Sequence, residues 1–495
     1  MTEETSVLVV GGSLVGLSAA MFLAYRGVRV TLVEPHLGSH PHPRAIGYTQ
    51  RTMELFRAVG VASRVPEAPP SFRLARVRAD SLAGTWEAPQ EWTPKSKPVE
   101  PQVFSPHTGA AIAQDALEPI LRERARELGA TLRLGSELVS FVQDANGVTA
   151  TIRDRASGAT SELRAAYVIA CDGAKSPVRE ALGIARRGRG HIRTVRSVLF
   201  RADLEAYLAK GVHQFELRQP GLEAFLTTYN DGRWVLMFTD DRDRDDAELR
   251  DAIRRAIGRD DIAFEILTTG RWELAALVAD TFQSGRVFLA GDAAHQLPPT
   301  RGGFGANTGI HDAWDLAWKI AAVLRGESRE TLLDTYSVER RPIAWERLIQ
   351  TFARPDYARE ANGIADGATL YDDVAMELGQ LYRSAAVIGA GDELPAAARP
   401  DVWRGQPGTR APHVALPDGT STLDWLGRGW VVIAGDAARW SGSPVSAIAA
   451  SEEVARAFGL DARSASLVRP DGIIAWRGSE PSALGTAFDA VAARP

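Results

Sequence analysis

A strand, a glycine-bearing turn and a helix open this chain, and they constrain its fold more than any other feature. Residues 6–10 (Ser-Val-Leu-Val-Val) are apolar and β-branched, and Gly11-Gly12 stops them, the pattern of a short buried strand. Residues 14–26 put Leu14, Leu17, Ala20 and Met21 on one stripe and end at Gly27, which predicts a helix with a left-handed cap. Residues 28–33 predict a second strand that ends at Glu34, completing a βαβ unit.

The turn carries most of a dinucleotide fingerprint, G-x-G-x-x-G with an acid about 20 residues on. Gly11 and Gly16 hold the first and third positions, Ser13 stands at the second, and Leu14 and Val15 lie between. Glu34 follows Gly16 by 18 residues. A helix N-terminus offers free N–H groups and partial positive charge to a pyrophosphate. A carboxylate at the tip of the next strand can accept hydrogen bonds from a ribose diol. The same glycines would also serve a plain βαβ turn with no ligand.

Further along, residues 115–128 predict a helix, 131–154 paired strands around Asn146-Gly147, and 166–171 a buried strand running into Asp172-Gly173. Ser176-Pro177 suits the start of a short helix. Residues 195–239 change to alternating strands, including 224–229 and 233–238, and predict an inserted antiparallel sheet. Residues 286–290 predict another buried strand. A long helix follows, with Ile310, Ala313, Trp314, Ala317, Ile320, Ala321 and Leu324 on one face. Residues 342–390 read as mainly helical, Pro395, Pro400 and Pro407 as a linker, and the tail as a small α/β unit.

With 495 residues the chain exceeds one core, which stops growing near about 250–300 residues. A net charge of −5 is too mild to call for nucleic acid or a membrane surface as partner. One cysteine, Cys171, excludes an internal disulfide framework and a thiolate zinc cluster, and no metal site is expected. The acidic start, Met1-Thr-Glu-Glu-Thr, is unlike a signal peptide, so a cytoplasmic location is expected.

Three more motifs occur in order: His42-Pro43-Arg44-Ala45, Cys171-Asp172-Gly173, and Gly291-Asp292-Ala293-Ala294-His295 followed by 298–307 (Pro-Pro-Thr-Arg-Gly-Gly-Phe-Gly-Ala-Asn). With the first turn, they make the chain resemble the FAD-dependent aromatic hydroxylases, the single-component para-hydroxybenzoate hydroxylase-like monooxygenases. Residues 51–56 (Arg-Thr-Met-Glu-Leu-Phe), 287–292, 307–310, 314–319 and a C-terminal extension resemble in particular the aromatic polyketide hydroxylases of antibiotic pathways.

The resemblance implies an α/β architecture: a Rossmann-like FAD-binding domain (1–72, 103–185, 275–395, with a helical linker at its end), an inserted antiparallel-sheet substrate domain (73–102, 186–274) and a thioredoxin-like C-terminal domain (396–495). It implies FAD contacts from the first turn, Glu34, Arg44, Gln114, Asp172, Gly173 and Asp292, and from Pro299, Gly303, Gly305, Ala306 and Asn307 in the late loop. Phe225, Thr227, Tyr229 and Phe238 are the expected substrate contacts. His295 reads as structural. NADPH or NADH would reduce the flavin, O2 would form a C4a-hydroperoxide, and an electron-rich ring would take the oxygen. The flavin carries that chemistry, and the sequence does not identify a catalytic side chain, including any general base for the phenol. A flat aromatic polyketide is the expected partner, with room for a homodimer. A Baeyer–Villiger or epoxidising enzyme, a flavin-fold protein that only holds a reactive intermediate, and a flavin-free NAD dehydrogenase are the alternatives.

Overall fold

A computed structural model describes residues 3–68, 75–88, 103–299, 304–355 and 357–495. The strand Glu3–Val10 lies at the centre of an eight-stranded sheet, between Val30–Glu34 and Thr160–Ala170, both parallel to it. Val287–Leu289 extends the sheet on the far side of Thr160–Ala170, and Thr131–Leu134 beyond Val30–Glu34. The helices Leu14–Tyr25, Gln114–Glu127 and Phe304–Leu324 pack beside one another against this sheet. Burial explains why the central strand reads as an unbroken apolar run: Val7, Leu8 and Val9 are fully enclosed. The expected hairpin forms between Ser136–Asp144 and Gly147–Asp154, where the Asp144 carboxylate accepts the N–H groups of Asn146 and Gly147.

The second sheet has seven strands, in the order His295–Gln296, Phe264–Ala279, Arg186–Ala202, Arg233–Phe238, Leu222–Thr228, Val212–Gln219 and Ala75–Ala79. All its pairings are antiparallel except the last. One face is covered by the helix Asp246–Ile257, which begins with an Asp245/Glu248 capping box and ends at left-handed Gly258. The strand Phe264–Ala279 runs through the boundary expected at 274, because it pairs along most of its length with Arg186–Ala202.

The helical reading of 342–390 holds only as far as Ala353, the end of the helix Thr331–Ala353. Beyond it lie Pro355 and the left-handed Asn362, Gly363 and Gly367, and the next α-helix is the short Asp373–Leu378. The C-terminal part carries a four-stranded mixed sheet, ordered Ala447–Ala449, Val431–Ala434, Ala465–Val468 and Ile474–Gly478. With the helices Glu452–Phe458 and Pro481–Val491 it forms the expected thioredoxin-like unit. Among the described residues, no helix is long and apolar enough to cross a membrane.

Candidate functional site

The first turn is built by close approach. A Cβ on Gly11, whose φ is +100°, would stand 2.4 Å from the Cys171 carbonyl oxygen, and one on Gly16 would stand 1.8 Å from the Gly11 carbonyl oxygen. These glycines therefore let the helix Leu14–Tyr25 start hard against the ends of two strands. Val15 packs into the same junction: a Cβ on Gly309 would meet its Cγ2 at 2.5 Å and the Gly291 Cα at 2.8 Å. Leu14 is buried. No side chain caps this helix and no acid sits in its first turn, so its positive end is left for an anion.

Ser13 occupies the position of the middle glycine and uses its hydroxyl elsewhere. The hydroxyl donates to Glu118 Oε1 at 2.7 Å and accepts from Gln114 Nε2 at 2.9 Å. Gln114 also donates to Glu118, and its Oε1 accepts the N–H groups of Arg44 and Ala45 at 3.4 and 3.3 Å. Glu118 was not foreseen from sequence; its signal was the i,i+4 spacing from Gln114 at the start of a helix. Glu34 stands where expected. Its Oε2 accepts the Gly12 N–H at 2.6 Å, and its Oε1 accepts the His36 N–H and pairs with His36 Nδ1.

The loop bearing Arg44 is fastened to the second sheet. Tyr229 Oη donates to the Pro43 carbonyl at 2.6 Å, and His42 Nε2 lies 2.9 Å from Ser197 Oγ. The exposed Arg44 side chain makes no hydrogen bond or ion pair with the described residues, yet its charge bears on Asp292.

Two carboxylates keep acceptor capacity unspent. Burial pushes the Asp172 carboxyl up; its Oδ2 accepts the Val178 N–H at 3.0 Å, while its buried Oδ1 has no partner within hydrogen-bond geometry among the described residues. Gly173, with φ +84°, has open space where a side chain would project. Burial also pushes Asp292 up, against the opposing charges of His295, Arg44 and Arg186, and no hydrogen bond from the described residues reaches it. Its turn is held from behind. Asp312 Oδ2 accepts the Gly291 N–H at 3.2 Å and pairs with His295 Nε2 at 2.7 Å, and Arg340 Nε donates to Asp312 Oδ1 at 2.8 Å. All three side chains are fully buried, and His295 is a strut for the turn.

Of the late loop, Pro299 is exposed and its carbonyl accepts the Tyr357 hydroxyl at 3.0 Å. Gly303 lies outside the described residues. Gly305 and Ala306 are half-buried in the first turn of the helix Phe304–Leu324. The Asn307 side chain is spent on the protein itself: Oδ1 accepts from Thr49 N at 2.9 Å and Thr52 Oγ1 at 2.6 Å, and Nδ2 donates to the Gly47 carbonyl at 3.1 Å. It ties the helix to the segment 47–52 rather than reaching outward.

On the second sheet, Phe225, Thr227 and Tyr229 share a face with Val235 and Met237, and that face rests against Ile46 and Ala113 of the Arg44 region. Phe225 and Thr227 are half-buried, whereas Tyr229 is enclosed. Phe238 corrects the sequence reading. It pairs with Ala224, so the two-residue period puts it with Trp234 and Leu236 on the opposite face, in the core under Asp246–Ile257.

Comparison with known proteins follows the same division. Residues 4–351 match the FAD binding domain family, and residues 404–495 the family of aromatic-ring hydroxylase C-terminal domains. The chain is 41% identical to 4-methyl-5-nitrocatechol 5-monooxygenase of a Burkholderia species, over 96% of this chain and 94% of that one. It is 39% identical to tetracenomycin A2 monooxygenase-dioxygenase of Streptomyces glaucescens, with the same coverage. Its fold superposes on aklavinone-11 hydroxylase, solved as a ternary complex with FAD and aklavinone, with a TM-score of 0.88, 34% identity and full coverage of both chains.

Proposed function

This chain belongs to the FAD-dependent aromatic-ring hydroxylases, a family of flavin monooxygenases, and from that premise we propose that it consumes NAD(P)H and O2 to hydroxylate a polycyclic phenolic substrate of polyketide type. One observation carries the reading. No hydrogen bond from the described residues reaches Asp292, and the charge that bears on it comes from Arg44, whose side chain has no partner among the described residues and whose loop joins the uncapped helix Leu14–Tyr25 to the sheet face of Phe225, Thr227 and Met237.

The residues fit FAD. The glycine cradle is filled by any added Cβ, the helix N-terminus suits a pyrophosphate, Arg44 suits its charge, and Asp292 and Glu34 suit hydroxyl groups. When bound, FAD supplies hydride uptake from NAD(P)H and activation of O2 for transfer of one oxygen atom to an electron-rich ring. The protein's part is position and dryness. Gln114 and Tyr229 hold the Arg44 loop between the two sheets, and Asp312 with Arg340 holds the Asp292 turn. Phe225 and Met237 are cross-strand neighbours on the half-buried face, where the Arg76 guanidinium lies 5.3 Å from the Phe225 ring centroid, a mixed aromatic and cationic lining suited to a phenolic ring system.

The test is purification with bound flavin, followed by NADPH and NADH oxidation and mass analysis under labelled O2, with tetracyclic phenolic polyketides and nitrocatechols as probes. The expected result is flavin reduction accelerated by one of these ligands and one labelled atom in a hydroxylated product. A lactone product replaces this reading with a Baeyer–Villiger one. Flavin that stays oxidised with every ligand replaces it with a binding role.

A further inference from the structure

The C-terminal unit contains no cysteine, so it has no thiol–disulfide chemistry, yet it inserts the most elaborately bonded cation of the molecule. Arg469 is fully buried. It donates to Glu339 Oε1 at 2.6 Å and Oε2 at 3.1 Å, to Asp315 Oδ1 at 3.0 Å, and to both oxygens of Asp471. Lys319 Nζ completes the group, donating to Asp315 at 2.8 Å and Glu339 at 2.7 Å. The Asp471 carbonyl accepts an amino group of Arg51, from the helix Gln50–Ala58, at 2.9 Å. The same carbonyl accepts Trp314 Nε1 at 3.0 Å, which docks the backbone near Arg469 on the helix that carries Asp315 and Lys319.

That helix, Phe304–Leu324, is also the one that holds the flavin loop. Asp315 follows Asp312 by three residues and shares its side of the helix. Asp312 grips both ends of the turn carrying Asp292, at Gly291 N–H and His295 Nε2. Glu339 and Arg340 are adjacent on the next helix, one in each cluster. Tyr382 bridges them: its hydroxyl accepts from Arg340, and its ring lies 5.6 Å from the Arg340 guanidinium and 5.8 Å from that of Arg469. The two clusters form one buried ionic frame that runs from the C-terminal unit to the Asp292 turn.

We propose that Arg469 is a positioning residue for the flavin site, through which the C-terminal unit sets the helix Phe304–Leu324 and hence the Gly291–His295 turn. The proposal rests on FAD binding by this chain. The charge arrangement is its physical basis. Two cations, Arg469 and Lys319, face three carboxylates, Asp315, Glu339 and Asp471, all almost without solvent. Without Arg469 the three carboxylates would share one lysine. Burial already pushes the Asp315 carboxyl up, so what the loss removes is the fork that bonds all three groups at once; with those bonds gone and the guanidinium volume empty, the helix would shift or water would enter. Either change moves Asp312 relative to Gly291 and His295. Lysine at 469 would keep the charge but not the fork, and a single ammonium cannot bond all three carboxylates in this geometry.

The test uses full-length R469M and R469K beside the wild type. R57A is the control, because it breaks the half-exposed Arg57–Asp424 pair across the same domain boundary. Three quantities are read: thermal midpoint of the apo-protein, FAD dissociation constant by flavin fluorescence, and amide hydrogen exchange of 289–297 in the apo-protein. R469M is expected to weaken FAD by about tenfold or more and to speed exchange at 289–297. R469K is expected to fall between R469M and wild type, and R57A to match wild type in both. If R469M does not fold, R469K carries the test alone. A variant with a lowered midpoint but unchanged FAD affinity and unchanged exchange at 289–297 would overturn the proposal, leaving the C-terminal unit a stabiliser only. If the wild type itself does not take up FAD, the reading beneath the proposal fails instead.

Discussion

Replacing Gly16 by alanine sets two physical effects against each other, and the structure decides between them. In a helix of ordinary surroundings this change gains about 1 kcal/mol of propensity. Here the new methyl would lie 1.8 Å from the Gly11 carbonyl oxygen. An unstrained contact needs about 3.5 Å, so the groups must part by about 1.7 Å. Gly11 cannot yield, because its own Cα side is packed on the Cys171 carbonyl, where a Cβ would fit only at 2.4 Å. The helix start must move, at an overpacking cost of about 1–3 kcal/mol that outweighs the propensity gain. A displacement of that size carries N–H donors beyond hydrogen-bond range of a phosphate. Losing one charged hydrogen bond, at about 1.5–3 kcal/mol, weakens FAD by about 10- to 150-fold. The assay is titration of apo-protein with FAD by fluorescence, paired with a thermal melt. A G16A variant that is more stable than wild type and binds FAD within about threefold of it would refute the reasoning.

Three further outcomes follow from the geometry. Asp292 is a half-buried carboxylate that no hydrogen bond from the described residues reaches, so D292N should leave the apo-protein as stable as wild type or more so, while weakening FAD about tenfold or more; a loss of apo stability would show that the protein itself needs the charge. F238A should cost about 3–5 kcal/mol by opening the core under Asp246–Ile257. F225A should cost far less stability and instead raise the substrate KM; equal effects on both quantities would contradict the assignment of faces. Burial pushes the Glu54 carboxyl up, but the guanidiniums of Arg410 and Arg51 outweigh it and hold it below its usual range. A lowered folded-state value contributes stability above the unfolded value, near about 4.3, that is lost as pH falls through the folded one. The stability advantage of wild type over E54Q should therefore be full at pH 7 and shrink as pH falls below about 4; an advantage independent of pH would refute this.

Local signals in the chain were sufficient for most elements, though not for the segment beyond Ala353, and for the local geometry of several candidate-site turns. The strand–turn–helix at 6–26, the acid at Glu34 and the Gly291-Asp292 turn are legible because each depends on residues within a few positions, where chain geometry leaves few choices. The period of a strand likewise says that Phe225, Thr227 and Tyr229 go together, and that Trp234, Leu236 and Phe238 go together. Which face is buried in the core of the sheet domain was not legible, because it depends on a helix, Asp246–Ile257, that packs on the sheet from elsewhere in the sequence.

The same holds for polar side chains. A sequence shows an asparagine at the start of a helix, but only the folded chain brings Thr49 and Thr52 to Asn307 from more than 250 positions away and uses up its oxygen. It shows Ser13 as a departure from a glycine pattern, but the hydroxyl's partners, Gln114 and Glu118, arrive about a hundred residues later. What the sequence alone determined was the set of elements and the chemistry of the turns, since backbone preferences and periodicity act at short range. What the tertiary structure decided was which polar atoms are spent on the protein and which, like those of Asp292, have no partner among the described residues, since that depends on long-range packing and burial.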